Sequence, residues 1–177
     1  MLEYMARIAI LTCSDAGAAG ARNDTSGDIL EARLKAAGHE IAARTLCPDD
    51  QAAISAQLTE WCDRETAAIV VTTGGTGLSP RDVTPEATRA VAERDVPGLP
   101  LALAVAGLQK TPFAVLSRGI AVTRGKTLIV NLPGNPKAVQ EGVEVLLPLL
   151  GHIEQLLGQQ VEHRTEADTG HALKGNG

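Results

Sequence analysis

A short glycine-rich segment is the part of this sequence best suited to chemistry. Three glycines fall within positions 74–77, directly after the apolar, β-branched run Ala68–Val71, which predicts a buried strand. Because glycine has no Cβ, such a loop lets the backbone approach a ligand closely. Further on, Thr84 and Pro85 predict a helix start, with Thr84 as the N-cap and proline at the first helical position. A strand, a glycine loop and a helix start in this order favour the binding of a phosphate-sized anion.

The glycine spacing does not match the common nucleotide-binding motifs. In the dinucleotide pattern Gly-x-Gly-x-x-Gly, counted from Gly75, the third glycine would fall on Pro80. The triplet Gly125-Lys126-Thr127 resembles the end of a phosphate loop, but its leading glycine would have to be Ile120, and a strand rather than a helix follows it. We reject both patterns, and an ordinary tight turn remains the alternative for a lone glycine cluster.

A second candidate anion site lies closer to the carboxyl terminus. Asn135 and Pro136 follow a Pro-Gly turn and predict another capped helix start. The aligned amides of such a helix favour an anion by ~0.3–1 kcal/mol when exposed and by up to ~2 kcal/mol when partly buried. An ordinary helix cap is the alternative, and the two roles are compatible. Lys137 and Arg81 add positive charge nearby, although lone basic side chains are usually solvated surface residues.

Four aspartates follow predicted strands or lie in the loops after them: Asp15, Asp24, Asp49 and Asp82. The carboxyl ends of parallel strands share one edge of a sheet, so the four carboxylates would converge there. The alternative is that they form turns or cap helices, since Asp24 and Asp49 each precede a predicted helix. From the residues alone, capping is the better interpretation for any one of them.

Alternating strands and helices must position these residues, and the hydrophobic pattern provides them. Apolar residues at helical spacing, such as Ile54, Leu58 and Trp61, alternate along the chain with short apolar runs. This alternation predicts an α/β fold: a three-layer, doubly wound, mostly parallel sheet with helices on both faces, which binds ligands at the carboxyl ends of its strands. The predicted strands are 8–12, 40–46, 68–72, 120–123 and 127–132, and the predicted helices are 27–37, 49–65, 85–93, 99–108 and 136–157.

Length and composition favour one globular domain. The chain has 177 residues, 44% of them hydrophobic, which is enough for one sizeable core over residues 1–157. From position 158 the chain is polar and has no periodicity, so residues 158–177 are predicted to form a disordered tail in which His163 and His171 are solvated.

The net charge and the cysteines argue against several kinds of partner and binding site. A net charge of −5 without a basic run argues against nucleic acid as a partner. The apolar stretches Ile8–Leu11 and Leu99–Leu108 are too short for a secretory signal or a membrane span, so we expect a cytoplasmic protein with no membrane partner. The three cysteines Cys13, Cys47 and Cys62 are odd in number and lack Cys-x-x-Cys spacing, which argues against a disulfide framework or a structural zinc site.

Two longer segments resemble the molybdopterin adenylyltransferase family, whose members are related to the G domain of gephyrin. The segments are Thr-Thr-Gly-Gly-Thr-Gly-Leu-Ser-Pro-Arg-Asp-Val-Thr-Pro-Glu-Ala-Thr at 72–88 and Asn-Leu-Pro-Gly-Asn-Pro-Lys-Ala-Val at 131–139. The resemblance continues through shorter motifs at 12–15, 23–27, 48–49 and 116–119, and it covers roughly residues 6 to 157 in the order of the family.

The resemblance implies that ATP donates AMP to the terminal phosphate of molybdopterin and that Mg²⁺ assists. Since a phosphate monoester has a second pKa of about 6, it needs no strong base, and the task is to position two anions and neutralise charge. Mg²⁺ takes one or two carboxylates together with substrate phosphates. We hypothesise that Asp49 and Asp82 act in catalysis and hold the metal. The predicted nucleotide- and substrate-binding residues are Ser14, Asp15, Thr73, Gly74, Gly75, Thr76, Gly77, Arg81, Gly134, Asn135 and Lys137.

One helix departs from the family pattern. After Pro97-Gly98 the family usually carries a Glu, an Arg and a Ser, whereas this chain has Leu101, Ala104 and Gly107. Either these positions lie in a subunit interface or a polar contact near the substrate has been lost. The resemblance also implies a homotrimer and a partner protein for molybdenum insertion.

Two other functions stay open at this point. One is a pterin-binding, nucleotide-binding or scaffold protein without turnover, since fold alone does not settle activity. The other is a pyridine-nucleotide amidohydrolase, as in the related competence-damage-inducible proteins.

Overall fold

A six-stranded sheet with helices on both sides forms the protein. The computed structural model describes residues 5–159, and most of the predicted tail, including His163 and His171, lies outside them. The strands are β1 (Arg7–Cys13), β2 (Glu40–Cys47), β3 (Ile69–Thr73), β4 (Arg94–Asp95), β5 (Ala121–Arg124) and β6 (Thr127–Leu132). The helices are α1 (Asp15–Ala18), α2 (Thr25–Ala36), α3 (Gln51–Asp63), α4 (Thr84–Val91), α5 (Gly98–Leu108) and α6 (Pro136–Gln159), with a 3₁₀ helix over Pro112–Leu116.

The sheet is mostly parallel, as predicted. Its strand order is β2-β1-β3-β6-β5-β4, in which β2, β1, β3 and β6 run parallel and β5 and β4 are antiparallel to their neighbours. The chain adds β2 on one side of β1 and β3 on the other, so the winding reverses between β1 and β3. In sheets of this kind, the crevice at the carboxyl ends of the strands beside such a reversal is where ligands bind.

The central strands are buried on both faces, which confirms the predicted three layers. Ile8 and Ile10 of β1 pack with α2 and α6 on one face, while Ala9 and Leu11 pack with α3 and α4 on the other. All four side chains have no exposed surface. Burial on both faces explains why these strands read as continuous apolar runs rather than as alternating ones.

The predicted N-cap at Thr84 is wrong, and the capping alternative for Asp49 is excluded. Helix α4 already includes Thr84, and its N-cap is Val83, which makes no side-chain capping bond. Thr84 is instead fully buried, and its backbone N–H donates to the carbonyl of Gly75 at 3.1 Å. Capping by Asp49 is also ruled out, because Asp50 caps α3 by accepting from the N–H of Ala53 at 2.8 Å. The carboxylate of Asp49 is therefore released for another role.

Several short elements were not predicted. Helix α1 is one turn capped by Ser14, whose Oγ accepts from the N–H of Gly17 at 3.1 Å. Strand β4 has two residues, and the 3₁₀ helix has five, so neither is long enough to show a period. Among the described residues, no helix has the length and apolar character needed to cross a membrane. Cys13, Cys47 and Cys62 are buried free thiols.

Candidate active site

Strand register brings three loops to one edge of the sheet. Thr12 of β1 lies opposite Thr73 of β3, and Thr73 lies opposite Leu132 of β6. Because these strands are parallel, the segments that follow them emerge side by side. These segments contain Ser14 and Asp15, the glycine loop at 74–77, and the turn at 133–135.

The glycine loop packs so tightly that its first two glycines cannot carry a side chain. Gly74 has a φ of +96°, and a Cβ there would lie 2.2 Å from the carbonyl oxygen of Cys13. Gly75 has a φ of +63°, and its Cβ would lie 2.3 Å from Thr84 Oγ1 and 3.2 Å from Asp49 Oδ1. Positive φ alone already disfavours L side chains. The loop is thus packed tightly between the end of β1 and the start of α4.

Two cavities meet at this edge. The smaller has a volume of about 450 Å³ and lies beside the ends of β1 and β3, and the larger has a volume of about 850 Å³ and lies toward α5 and α6. Both are in the size range of small-molecule sites. The two cavities share a wall formed by Gly75, Asp82, Gly134 and Asn135. Groups bound in the two cavities would meet at this wall.

Most of the predicted site residues line the cavities. Ser14, Asp49, Thr73 and Gly74 face the smaller cavity only, and Thr76, Gly77 and Lys137 face the larger one only. Asp15 and Arg81 line neither cavity. They form an exposed ion pair, with Asp15 also hydrogen-bonded to Asp49.

Asp49 is the most unusual carboxylate of the site. Its Oδ2 accepts from the N–H of Asp15 at 3.0 Å, but its Oδ1 is buried and has no hydrogen-bond partner. Burial, followed by the nearby charges of Asp15 and Asp82, raises the pKa of Asp49 above its ordinary value. The hydrogen bond from Arg81 has the opposite effect on Asp15 and lowers the pKa of that carboxyl. A buried carboxylate oxygen without a donor is a group that a cation would satisfy.

The other side of the shared wall is built by the start of α6. Asn135 caps this helix, because its Oδ1 accepts from the N–H groups of Lys137 at 2.9 Å and Ala138 at 3.3 Å, as predicted. Gly134 lies against the glycine loop, and a Cβ on it would be 3.0 Å from the Cα of Gly74. Thr73 ties the two loops together by donating its hydroxyl to the carbonyl of Pro133 at 2.8 Å.

The residues present fit a Mg²⁺ ion on chemical grounds. Asp49 offers an unpartnered oxygen, and Asp82 lies in the wall of the same cavity with only Oδ2 engaged, by the N–H of Ser79 at 2.9 Å. One or two carboxylates are the usual protein contribution to a Mg²⁺ site, since substrate phosphates and water supply the rest. Within residues 5–159, no group of three or more His, Cys, Asp or Glu side chains comes together as a metal site.

Some lining residues lie outside the predicted binding set: Asp24 was only one of four candidate aspartates, and Asn131 and several others were missed. Asp24 lines the smaller cavity, but Thr12, Gly27 and Arg44 all donate to its carboxylate, at 2.9, 2.9 and 2.7 Å, so it has the structural role that capping predicts. Asn131, a lone amide in an apolar strand, lines the larger cavity, and that contrast was the available signal. The larger cavity also includes Lys110, Ser117, Gly119 and Glu141.

A protein-family model described as a probable molybdopterin binding domain matches residues 9–152. The chain belongs to this family. The membership confirms the resemblance that the motifs at 72–88 and 131–139 carry.

Curated proteins named for molybdenum cofactor synthesis are similar to this chain. The molybdopterin adenylyltransferase of Escherichia coli K12 is 40% identical over 150 residues, which cover 83% of this chain and 76% of that protein. The molybdenum cofactor synthesis protein cinnamon of Drosophila melanogaster is 40% identical over 153 residues, or 86% of this chain. The chain spans 26% and 49% of the length of the two longer curated relatives that it matches.

A solved structure shows the same fold. The molybdopterin biosynthesis enzyme MoaB of Thermus thermophilus is 48% identical, and the match has a TM-score of 0.81 and covers 86% of this chain and 96% of that one.

The three positions that depart from the pattern of the molybdopterin-binding family lie in different surroundings. Leu101 is 65% exposed on the surface of α5. Ala104 and Gly107 instead line the larger cavity. Leu101 is therefore at the surface, whereas Ala104 and Gly107 lie where a polar side chain would have faced the larger cavity.

Proposed function

We propose that this protein is a molybdopterin adenylyltransferase that acts in molybdenum cofactor biosynthesis. The observation that carries the proposal is the wall of Gly75, Asp82, Gly134 and Asn135 that the two cavities share. A transferase with two anionic substrates needs two adjoining sites whose reacting groups meet at one point. ATP and molybdopterin would occupy the two cavities, and their phosphates would meet at that wall.

The proposed reaction is an adenylyl transfer. An oxygen of the terminal phosphate of molybdopterin forms a bond to the α-phosphorus of ATP. The bond from that phosphorus to the oxygen that bridges it to the β-phosphorus breaks, and pyrophosphate leaves. The nucleophile is already largely ionised at neutral pH because its second pKa is about 6. In keeping with this, none of the described residues lining the two cavities is a histidine.

The chain's own contribution would be positioning and charge control. The glycine loop and the start of α6 would hold phosphate oxygens, since both line the cavities and both are backbone arrangements that favour anions. Lys137, Lys110 and Arg81 would add positive charge at the rims. Asp49 and Asp82 would hold Mg²⁺, which when bound neutralises charge on the phosphates and on the leaving pyrophosphate.

The proposal extends to assembly and location. Helix α5 and the 3₁₀ helix leave Val105, Leu108, Phe113 and Val115 between 46% and 73% exposed. An apolar surface of this kind supports self-association, and we propose the homotrimer that the family resemblance implies, together with a partner protein that inserts molybdenum. The use of ATP is in keeping with residence in the cytoplasm. Light scattering after size-exclusion chromatography would give the number of subunits.

One incubation tests the proposed function. The purified protein is mixed with ATP, Mg²⁺ and molybdopterin, and the products are measured by mass spectrometry together with pyrophosphate release. Adenylylated molybdopterin with equimolar pyrophosphate is the expected result. Saturable binding without turnover would instead identify a binding or scaffold protein, and hydrolysis of a pyridine-nucleotide amide in a parallel incubation would identify an amidohydrolase.

A further inference from the structure

Arg118 makes an unusual set of contacts behind the glycine loop. Its Nε donates to the carbonyl of Gly77 at 2.7 Å, its Nη2 donates to the carbonyl of Asp82 at 2.6 Å, and its Nη1 pairs with the carboxylate of Glu86. Its backbone N–H donates to the carbonyl of Thr76 at 2.8 Å. One half-buried residue therefore holds the segment 76–86 at four points.

The segment that Arg118 holds carries the Asp82 carboxylate. Between Gly77 and Asp82 the residues Leu78, Ser79, Pro80 and Arg81 are exposed, and the hydrogen bonds of their backbone stay within the loop. Asp82 N–H donates to the carbonyl of Ser79, and Asp82 Oδ2 accepts from Ser79 N–H, both at 2.9 Å. These bonds give the loop its shape but do not attach it to the sheet. The guanidinium of Arg118 supplies that attachment at both ends of the exposed stretch, while the exposed ion pair of Arg81 with Asp15 joins its middle to the segment after β1.

Arg118 is itself held rigidly. The segment before β5 is fixed by the buried Asn131, whose Oδ1 accepts from the N–H of Ile120 at 3.1 Å. The Nδ2 of Asn131 donates to the hydroxyls of Thr72 at 2.9 Å and Thr88 at 3.0 Å, which join β3 and α4 to the same point. Gly119 packs so closely that a Cβ on it would lie 2.9 Å from the carbonyl oxygen of Asn131.

We infer that Arg118 is a positioning residue for the proposed adenylyl transfer: its planar guanidinium fixes the backbone of Gly77 and Asp82 and so sets where the Asp82 carboxylate lies in the wall between the two cavities. The inference rests on the proposed function. Arg118 does not line either cavity, so it acts through the loop rather than on the substrate. Its role depends on the fork of donors rather than on charge alone, because a lysine ammonium cannot span two carbonyls and a carboxylate in one plane.

The test compares Arg118→Lys with Arg124→Lys. Arg124 is a matched control, because it too joins elements through a guanidinium: it binds both carboxylate oxygens of Asp63 at 2.9 and 3.1 Å and the carbonyl of Val91 at 3.4 Å, and it lines neither cavity. Its side chain is 27% exposed against 35% for Arg118. If the role of Arg118 were merely structural, Arg118→Lys and Arg124→Lys would have the same effect on exchange and on kcat.

Two measurements are made on each variant. The first is amide hydrogen exchange of Ser79 and Asp82 in the ligand-free protein, and the second is kcat and KM for ATP. For Arg118→Lys we expect faster exchange at both amides and a fall in kcat of up to about 100-fold, the size of loss that a displacement of about 1 Å can cause, with a much smaller change in KM. Arg124→Lys should leave all of these values close to those of the unaltered protein. Free guanidinium at concentrations that do not unfold the protein should restore part of the activity of Arg118→Ala.

The outcomes separate the two proposals. Equal exchange and equal kcat in the two lysine variants would overturn the positioning role, as would unchanged exchange in Arg118→Lys alone. An unaltered protein that transfers no AMP would overturn the proposed function, while the exchange measurement would still decide whether Arg118 holds the loop. Should Arg118→Lys fail to fold, Glu86→Gln provides the second variant. It keeps both carbonyl contacts and should raise exchange at Ser79 and Asp82 by a smaller factor, and unchanged exchange there would count against the inference.

Discussion

Asp15 and Asp49 bind each other through two reciprocal hydrogen bonds. The backbone N–H of Asp15 donates to Asp49 Oδ2 at 3.0 Å, and the backbone N–H of Asp49 donates to Asp15 Oδ1 at 2.9 Å. The pair joins the loop after β1 to the loop after β2, and it leaves the second oxygen of Asp49 buried and unpartnered. Two like charges are thus held together at the edge of the smaller cavity, and the ion pair of Arg81 with Asp15 offsets part of them.

Asp49→Asn should raise stability and abolish activity. Burial and the charges of Asp15 and Asp82 raise the pKa of Asp49 in the folded protein, so its ionised form opposes folding at neutral pH. For a carboxyl with a raised folded pKa, this penalty is absent below the unfolded pKa of about 3.9 and develops as the pH rises through the folded pKa. We therefore expect a higher Tm for the variant at pH 7, a gain that shrinks as the pH falls toward 4, and loss of AMP transfer. Thermal unfolding across this pH range, with a transfer assay at pH 7, checks both; a lower Tm at pH 7 would contradict the argument.

Asp82→Asn should abolish adenylyl transfer without unfolding the protein. The amide keeps the size of the side chain and one oxygen that can accept from Ser79 N–H, so the loop can keep its shape. The lost negative charge removes one of the two proposed Mg²⁺ ligands. Asp95→Asn is the control, since Asp95 is an exposed aspartate that pairs with Arg89 and lines neither cavity. Circular dichroism and the transfer assay give the answer, and near-native turnover in Asp82→Asn would reject the catalytic assignment.

Gly75→Ala should block nucleotide binding and destabilise the fold. Its Cβ would lie 2.3 Å from Thr84 Oγ1, at a φ of +63° that side chains rarely adopt. Gly125→Ala measures the cost of a positive φ alone, because Gly125 has a φ of +54° in the β5–β6 turn and a Cβ there would meet nothing within 4 Å. The control should lose about 1–2 kcal/mol of stability and bind ATP normally, whereas Gly75→Ala should lose more stability and most of its affinity. Denaturant unfolding and calorimetric titration with ATP and Mg²⁺ measure the two effects, and unchanged ATP affinity in Gly75→Ala would overturn the assignment of the glycine loop.

The sequence predicted the architecture well because its signals are local and strong. Apolar β-branched runs such as 68–72 and helical spacing such as that of Ile54, Leu58 and Trp61 depend only on neighbours along the chain. The resemblance then selected side chains from segments that the fold brings to one edge. Eleven of the thirteen predicted site residues line the two cavities, since only Asp15 and Arg81 do not.

What the sequence could not predict depends on contacts between distant segments. Thr84 fits the pattern of an N-cap, yet it is buried against the glycine loop, and Asp50 rather than Asp49 caps α3. Asp49 and Asp50 are adjacent before the helix, so the sequence does not distinguish which of them caps it. The contacts of each side chain with other segments make the difference. Here Asp15 binds Asp49. The side-chain contacts of Arg118 join residues 32 to 41 positions apart along the chain, and no local sequence pattern predicts contacts over such a separation.

Arg81→Gln should weaken ATP binding with little effect on stability. Arg81 is 66% exposed and pairs with Asp15, and an ion pair of such exposure contributes little to folding because water and salt screen it. Arg89→Gln is the control, because Arg89 is 55% exposed and pairs with Asp95, which lines neither cavity and, unlike Asp15, is not bonded to Asp49. We expect KM for ATP to rise in Arg81→Gln alone, with kcat nearly unchanged, because the guanidinium attracts the triphosphate without taking part in bond breaking. The difference in KM between the two variants should shrink as salt is added, since an exposed charge is screened over about 8 Å at 0.15 M ionic strength. Equal KM values for the two variants at low salt would show that Arg81 does not attract the nucleotide.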